Sequence, residues 1–382
     1  MLSDPKLLVL LLAGSLTTMA GGVVAPILPE MVQQLHFDPG LAGILVSMHC
    51  LTIALFSPLL GILADCVGRL RVLLPSLLFY AVVGTAGAFI HSFPSALLMR
   101  ALLGVASGGI AAATLGLLGS LYEGKERSQA LALATTTLTI TGITDPLLGG
   151  WVGASVWQNT FYLYGLGLPL AILVAFVFRG KQPRSTKSEA KPLGNKLYEI
   201  LTSRNALKLL LALGLTSVAM YAVVIYAPMY LKATIGAGPA LNGIVLASRA
   251  IGAAFISAFG ASKLAHRLGA IQATAWGFGL MAITLATIPF LHALSWILLS
   301  AILFGAGFGI VLPSLYSALA NLAPSQLKSS VLAAGIGVGF LGQFLSPILL
   351  GPILSASSLS GVFYAAAGVA AAAGLLLFAP NP

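Results

Sequence analysis

The sequence predicts an all-α membrane protein of twelve transmembrane helices, built as two six-helix halves related by a parallel internal repeat. Three observations predict it. Charged residues are only 7% of the 382 and hydrophobic ones 58%, with a mean hydropathy of +1.01. A soluble chain is about a quarter charged, because its surface must face water. The apolar residues fall in about twelve runs, each near the ~20 residues that a bilayer-spanning helix needs. The two halves also match at an offset of about 200 residues, the self-similarity expected of a duplicated unit. This composition excludes a soluble enzyme, a disordered tail and a collagen-like fibre. The unbroken apolar runs exclude a transmembrane barrel, whose strands alternate polar and apolar side chains.

In chain order, the first half is expected to span near residues 7–29, 41–63, 72–91, 95–119, 129–153 and 159–178. The second half is expected to span near 206–230, 240–262, 271–291, 295–320, 329–353 and 360–379. The first run, Leu7 to Leu28 after Lys6, is longer than the roughly 7–15 residues of a signal-peptide core, so it reads as a retained span. Turn signals such as Phe37-Asp38-Pro39-Gly40 and His91-Ser92-Phe93-Pro94 separate neighbouring runs. The stretch 179–205 is polar, basic and Pro-containing, so it reads as a cytoplasmic linker between halves 1–178 and 206–382.

Lys and Arg set the orientation. With a cytoplasmic N-terminus, the inner segments hold Lys6, Arg69, Arg71, Lys125, Arg127, the linker bases, Lys208, Lys263, Arg267 and Lys328, and the outer loops hold only Lys232. Both termini are therefore expected in the cytoplasm, in a multi-pass protein of the inner (plasma) membrane. The net charge of +10 is then an orientation signal, and no nucleic-acid partner is called for. Cys50 and Cys66 are too few for a disulfide framework and lack metal-ligand spacing, so no metal is expected.

The repeat shows as Gly40-Leu-Ala-Gly43-Ile44 against Ala240-Leu-Asn-Gly243-Ile244, and as Pro146-Leu-Leu-Gly-Gly150 against Pro347-Ile-Leu-Leu-Gly351. After the second span comes Gly61-Ile-Leu-Ala-Asp65-Cys-Val-Gly68-Arg69-Leu-Arg71. This resembles the G-x-L-A-D-x-x-G-R-x-R loop signature of the major facilitator superfamily, and the resemblance covers essentially the whole chain. It implies that superfamily's fold and a latch role for Asp65 at helix ends across the interface between halves. Arg100, followed by Gly104, Gly108 and Gly109, is similar to the family's R-x-x-x-G segment, whose arginine is linked to proton coupling. Leu103 stands where many members have Gln. Gly142-Ile-Thr-Asp145-Pro146-Leu-Leu-Gly149-Gly150 resembles the motif of proton-driven drug and metabolite exporters. Asp145 replaces its glycine before proline, and Thr141 holds the place of its leading glycine. Gly142, Gly149 and Gly150 allow close helix approach, and Pro146 permits a bend. The matching second-half loop, Gly260 to Gly269, has lost the acid, so no latch role carries over to it.

An ionisable side chain at bilayer depth costs at least ~2.5–3.5 kcal/mol and is by default a functional hypothesis. Asp145, Arg100 and Arg249 lie within spans, with His49; Glu30 lies at the outer end of the first span. At ~1.5 Å rise per residue, Asp145 is ~12 Å and Arg249 ~13 Å from the outer ends of their spans. The resemblance makes spans five and eight neighbours, so an Asp145–Arg249 pair is one expected outer gate. The local alternative is an Asp145–Arg100 pair, which leaves Arg249 for an anionic substrate. The first span holds no acid, so Asp145 is the first candidate for proton coupling, with Glu30 second and His49 as a group that titrates near neutral pH.

By resemblance, spans one, four, seven and ten line the cavity, so Thr17, Thr18, Met220, Tyr221, Tyr226, Tyr316 and Asn321 are candidate wall residues. The expected function is secondary active transport: proton-coupled efflux, by antiport, of a small amphipathic compound or drug through alternating access. The alternatives are uptake or translocation of an organic anion or lysolipid, and, in a different class, a non-transporting receptor or channel. No nucleophile–base constellation or phosphate loop is present, so no enzyme is expected. The expected partners are a small-molecule substrate and the lipid bilayer, with the protein a monomer and a proton gradient in place of any cofactor.

Overall fold

The structure is a computed structural model that describes residues 4–179, 194–324 and 327–378. Among the described residues, twelve helices are long and apolar enough to cross a membrane. In the first half these are Pro5–Gln34, Pro39–Val67, Arg69–Phe89, Phe93–Leu121, Gly124–Val152 and Trp157–Val177. In the second they are Arg204–Ile235, Pro239–Phe259, Ile271–Phe290, Leu294–Asn321, Lys328–Ala356 and Leu359–Leu377. They are called spans one to twelve below. The fold is all-helical among the described residues, as the sequence predicts.

Local chemistry sets the ends. Asp4 caps span one, its carboxylate accepting from the Lys6 N–H at 3.0 Å, and Pro5 occupies the first helical position. Ser203 caps span seven, and Gly236 ends it in the left-handed region at φ 66°. Span one does not stop near residue 29. It passes through a 3-10 turn at Ala25–Ile27 and resumes as Leu28–Gln34, because Pro26 and Pro29 tighten the backbone without ending it. Span two runs on to Val67, so the expected loop before span three shrinks to one residue, Gly68, at φ 106°. Gly269, its repeat mate, breaks the chain before span nine at φ 87°. Only glycine adopts these angles without strain.

The chain divides into two compact units that do not follow the linear halves. Unit 1 holds residues 1–38, 44–188 and 238–243; unit 2 holds 39–43, 189–237 and 244–382. The start of span two thus belongs with unit 2, and the start of span eight with unit 1. The repeat anchors explain this. In unit 2, a Cβ on Gly43 would strike the Pro347 ring; in unit 1, one on Gly243 would strike the Pro146 carbonyl oxygen. Of the expected linker 179–205, residues 180–193 lie outside the described residues, and Gly194–Thr202 is a short helix. A second short helix, Ala261–Leu268, precedes span nine.

The outside is apolar. Trp151, Trp276 and Phe290 are 75%, 67% and 70% exposed. The core, by contrast, contains Arg100, Asp145, His49 and Asn242. Large apolar groups outside and polar groups within suit a protein whose solvent is lipid.

Candidate functional site

Arg100, near the start of span four, is fully buried. Its Nε donates to Leu45 O at 3.3 Å, and Nη2 donates to Val46 O at 2.9 Å, both on span two. Nη1 donates to Ala20 O on span one and to the Tyr164 hydroxyl at 3.3 Å. His49 completes the ring, with its Nδ1 2.8 Å from Nη2 and 2.7 Å from Val46 O. The Cys50 thiol lies 3.5 Å from His49 Nε2. Tyr164 also donates to Ala20 O at 3.1 Å and meets Tyr80 edge-on, with ring centroids 5.5 Å apart. Tyr80 donates to Leu16 O at 2.7 Å. A guanidinium has donors only, in a fixed planar fork. Here that fork ties spans one, two, four and six together through carbonyls, a phenol and an imidazole.

Asp145 lies in the same unit, on span five, 2% exposed. Its Oδ2 accepts from the Thr18 hydroxyl of span one at 2.9 Å. Thr18 Oγ1 is also 2.9 Å from Thr141 Oγ1 and 2.8 Å from Ser15 O. One hydroxyl carries one proton, so Thr18 satisfies the carboxyl only by giving up Ser15 O. Gly22 makes the approach possible, since a Cβ there would lie 2.7 Å from the Asp145 Cβ. Arg100 and Asp145 therefore hold separate partners, and the local Asp145–Arg100 pair considered from the sequence is not formed in this structure. The next turn of span five packs through glycine. A Cβ on Gly149 would strike Val23 O, and one on Gly150 would strike Pro239 O. Gly142 differs: nothing lies within 4 Å of its Cβ position, so it mediates no close approach here. Span five stays helical through Pro146.

The Gly61–Arg71 signature is mostly helix. Asp65 lies in the last turn of span two, not in an open loop and not at a helix N-terminus. Its Oδ1 pairs with Arg69 Nη2 at 3.0 Å, the two side chains 62% and 27% exposed. Arg69 donates also to Gly116 O on span four. A pair this exposed is worth at most about 1 kcal/mol. Arg71 donates to Val67 O at 3.2 Å, Gly68 supplies the break, and Gly61 rests against Ala112.

Glu30 lies half-buried in Leu28–Gln34. In unit 2, Arg249 lies in span eight with its Nε shielded and without a hydrogen-bond partner. Span ten approaches it so closely that a Cβ on Gly305 would strike Arg249 O. Tyr226 is buried, its hydroxyl also without a partner. Tyr221 is buried, Met220 and Tyr316 are half-buried, and Asn321 is exposed as the last residue of span ten. Thr17 helps line a cavity of about 60 Å³ with Thr114 and apolar side chains of spans one, four and five. The described residues contain no group of three or more His, Cys, Asp or Glu fit to hold a metal.

Sequence reasoning missed Tyr164, Tyr80, Thr141 and Gly22 as members of these two clusters. Thr141 carried a signal, since it occupies the place of the motif's leading glycine. Phenols and a glycine inside apolar helices carried none.

A profile of the Major Facilitator Superfamily matches residues 10–347. The Quinolone resistance protein NorA of Staphylococcus aureus (strain MSSA476) is 22% identical over 360 residues, covering 92% of this chain and 90% of that protein. The Tetracycline resistance protein, class G, of Vibrio anguillarum is 28% identical over 372 residues, covering 92% and 91%. Among solved structures, a D-xylose-proton symporter has a TM-score of 0.78 at 15% identity, covering 99% of this chain and 98% of its own. A bacterial homolog of the human lysosomal transporter Spinster, inward-facing and occupied, has a TM-score of 0.78 at 15% identity, covering 97% and 94%. At that identity the structural likeness establishes the fold.

Proposed function

The chain belongs to the Major Facilitator Superfamily of membrane transporters, and from that premise we propose that it exports a small amphipathic compound in exchange for protons. It is a multi-pass membrane transporter and not an enzyme. Asp145 carries the reading. It is a carboxyl group inside a span, 2% exposed, held by one hydroxyl. Water cannot reach it in this conformation, so it exchanges a proton only when the site opens. A carboxyl that gains and loses its proton on opposite faces of the membrane couples proton flow to an alternating-access cycle. The cluster around Arg100 holds spans one and two beside it, and Thr18 links the carboxyl to span one. Resistance proteins among the relatives support cargo of drug-like, amphipathic character. The Lys and Arg distribution supports a plasma-membrane orientation with both termini in the cytoplasm. The working form in this reading is a monomer driven by the proton gradient.

One observation favours a second reading, translocation of an organic anion or lysolipid. Arg249 has a shielded, unpartnered Nε, and residues 200–382 contain no Asp or Glu at all. A cargo with a negative group would find its counter-charge there. Inside-out vesicles with an acidic lumen separate these outcomes. The export reading expects gradient-driven accumulation of an amphipathic dye by wild type. Asp145→Asn should lose it and retain dye-for-dye exchange; an unchanged response to the gradient would reject the role of Asp145.

A further inference from the structure

The inner ends of the two units differ at positions that the internal repeat makes equivalent. In unit 1, the Tyr122 hydroxyl after span four donates to the Asp4 carboxylate before span one. Burial and that carboxylate hold the Tyr122 phenol above its usual range. Beside it, Lys6 Nζ lies 6.0 Å from the centre of the Phe178 ring, which closes the end of span six over span one. At the offset of about 200 residues, Tyr122 corresponds to Leu322, Asp4 to Arg204 and Lys6 to Ala206. None of these bridges can form in unit 2.

Unit 2 has a cavity of about 320 Å³ at this place, between spans seven, nine, ten and twelve. That volume is within the range of small-molecule sites. Its lining is divided by chemistry. Asn205 and Lys208, from the first turns of span seven, and Thr274 and Ser314, from spans nine and ten, are polar, and Ile271, Leu315, Leu322 and Leu377 supply the apolar part. Asn205 and Ile271 are exposed and Leu315 and Thr274 are buried, so the cavity runs from a mouth that carries Asn205 into a mainly apolar interior. Further bases flank the lining segments in sequence. Arg204 is exposed beside Asn205, and Lys263 and Arg267 are exposed on the short helix that leads into span nine. The single acidic residue among the described residues of unit 2 is Glu199.

We propose that this cavity binds an anionic phospholipid, with the phosphate against Lys208 and Asn205 and an acyl chain against Ile271, Leu315, Leu322 and Leu377. A cationic group at the mouth of a mainly apolar chamber matches one amphiphile with a negative head. The bilayer supplies that amphiphile at the face where the basic residues lie. The site is separate from Asp145 and Arg249, so it stands or falls independently of the export reading.

The test uses the purified full-length protein, delipidated in detergent and titrated with phosphatidylglycerol, phosphatidylcholine or glycerol phosphate. Lipid retention is read by native mass spectrometry and stability by thermal unfolding. Phosphatidylglycerol should be retained and should raise Tm, with phosphatidylcholine weaker and glycerol phosphate without effect. Lys208→Gln should weaken phosphatidylglycerol about fivefold, the effect of one basic group near an anionic lipid. Lys328→Gln, a base at the start of span eleven, should leave it unchanged. Leu322→Tyr, which installs the unit 1 residue, should reduce retention further; Ala318→Leu fills the same chamber should that variant not fold. Equal retention of the two lipids, an equal loss in Lys328→Gln, or full retention after the chamber is filled would overturn the proposal. A glycerol phosphate response as large as that of phosphatidylglycerol would overturn it too, in favour of a free-phosphate site.

Discussion

Arg100→Met should leave the protein almost as stable as wild type and stop transport. The guanidinium makes five polar contacts, to Leu45 O, Val46 O, Ala20 O, Tyr164 and His49. Leu45 and Val46 lie inside span two, where the helix ladder already uses one lone pair of each carbonyl. Interhelical hydrogen bonds in membranes average about 0.6 kcal/mol, so five are worth about 3 kcal/mol. Against this, a cation at bilayer depth costs about 2.5–3.5 kcal/mol, which methionine relieves while filling a similar volume. The two effects cancel to within about 1 kcal/mol, a shift of about 2–4 °C in Tm for a unit of this size. Cys50 reports the result. It is buried 3.5 Å from His49 Nε2, so in a Cys66→Ser background a thiol-reactive dye labels it only when the cluster opens. A fall of more than about 10 °C would show that the arginine is held for stability, and wild-type transport by the variant would remove it from the mechanism.

Two further pairs of variants follow from the geometry. Thr18→Val removes the hydroxyl donor to Asp145 and should cost about 0.6–1.7 kcal/mol. It should also alter the pH profile of transport, which Thr17→Val should not; identical profiles in both would exclude Thr18 as the partner that matters. Gly142→Ala meets open space and should gain about 0.5–1 kcal/mol by stiffening span five. Gly150→Val drives a side chain into Pro239 O and the Gly243 backbone. It should cost about 1–3 kcal/mol and at least tenfold in transport rate. Thermal unfolding and initial rates in proteoliposomes measure both, and equal behaviour of the two glycines would contradict the packing described.

The spans were legible because the bilayer demands a fixed apolar length, and their ends were not. Span one was expected to end near residue 29, yet Pro26 and Pro29 only tighten a helix that continues to Gln34. The acid and bases from Asp65 to Arg71 read as a loop, yet Gly68 alone separates two helices. The repeat was visible as Gly43 against Gly243 and Pro146 against Pro347. What it does physically, letting each glycine meet the other anchor's proline, needed coordinates. For the site, Asp145 and Arg100 stood out because charge in a span is costly. Their partners did not. Carbonyls of Ala20, Leu45 and Val46 are the same in every sequence, and Tyr164 reaches Arg100 across 64 residues of chain. The absence of acids from residue 200 onward was legible by counting alone, and it bears on both Arg249 and the lipid cavity.

The central claim is that Asp145 exchanges protons against cargo. Proteoliposomes with a trapped pH dye measure it directly when a transported amphiphile is added outside in the absence of an imposed gradient. Antiport through Asp145 predicts that the lumen turns alkaline as cargo enters. Asp145→Asn should give no pH change while still exchanging labelled cargo. Luminal acidification, or the same alkalinisation in Asp145→Asn, would contradict the claim.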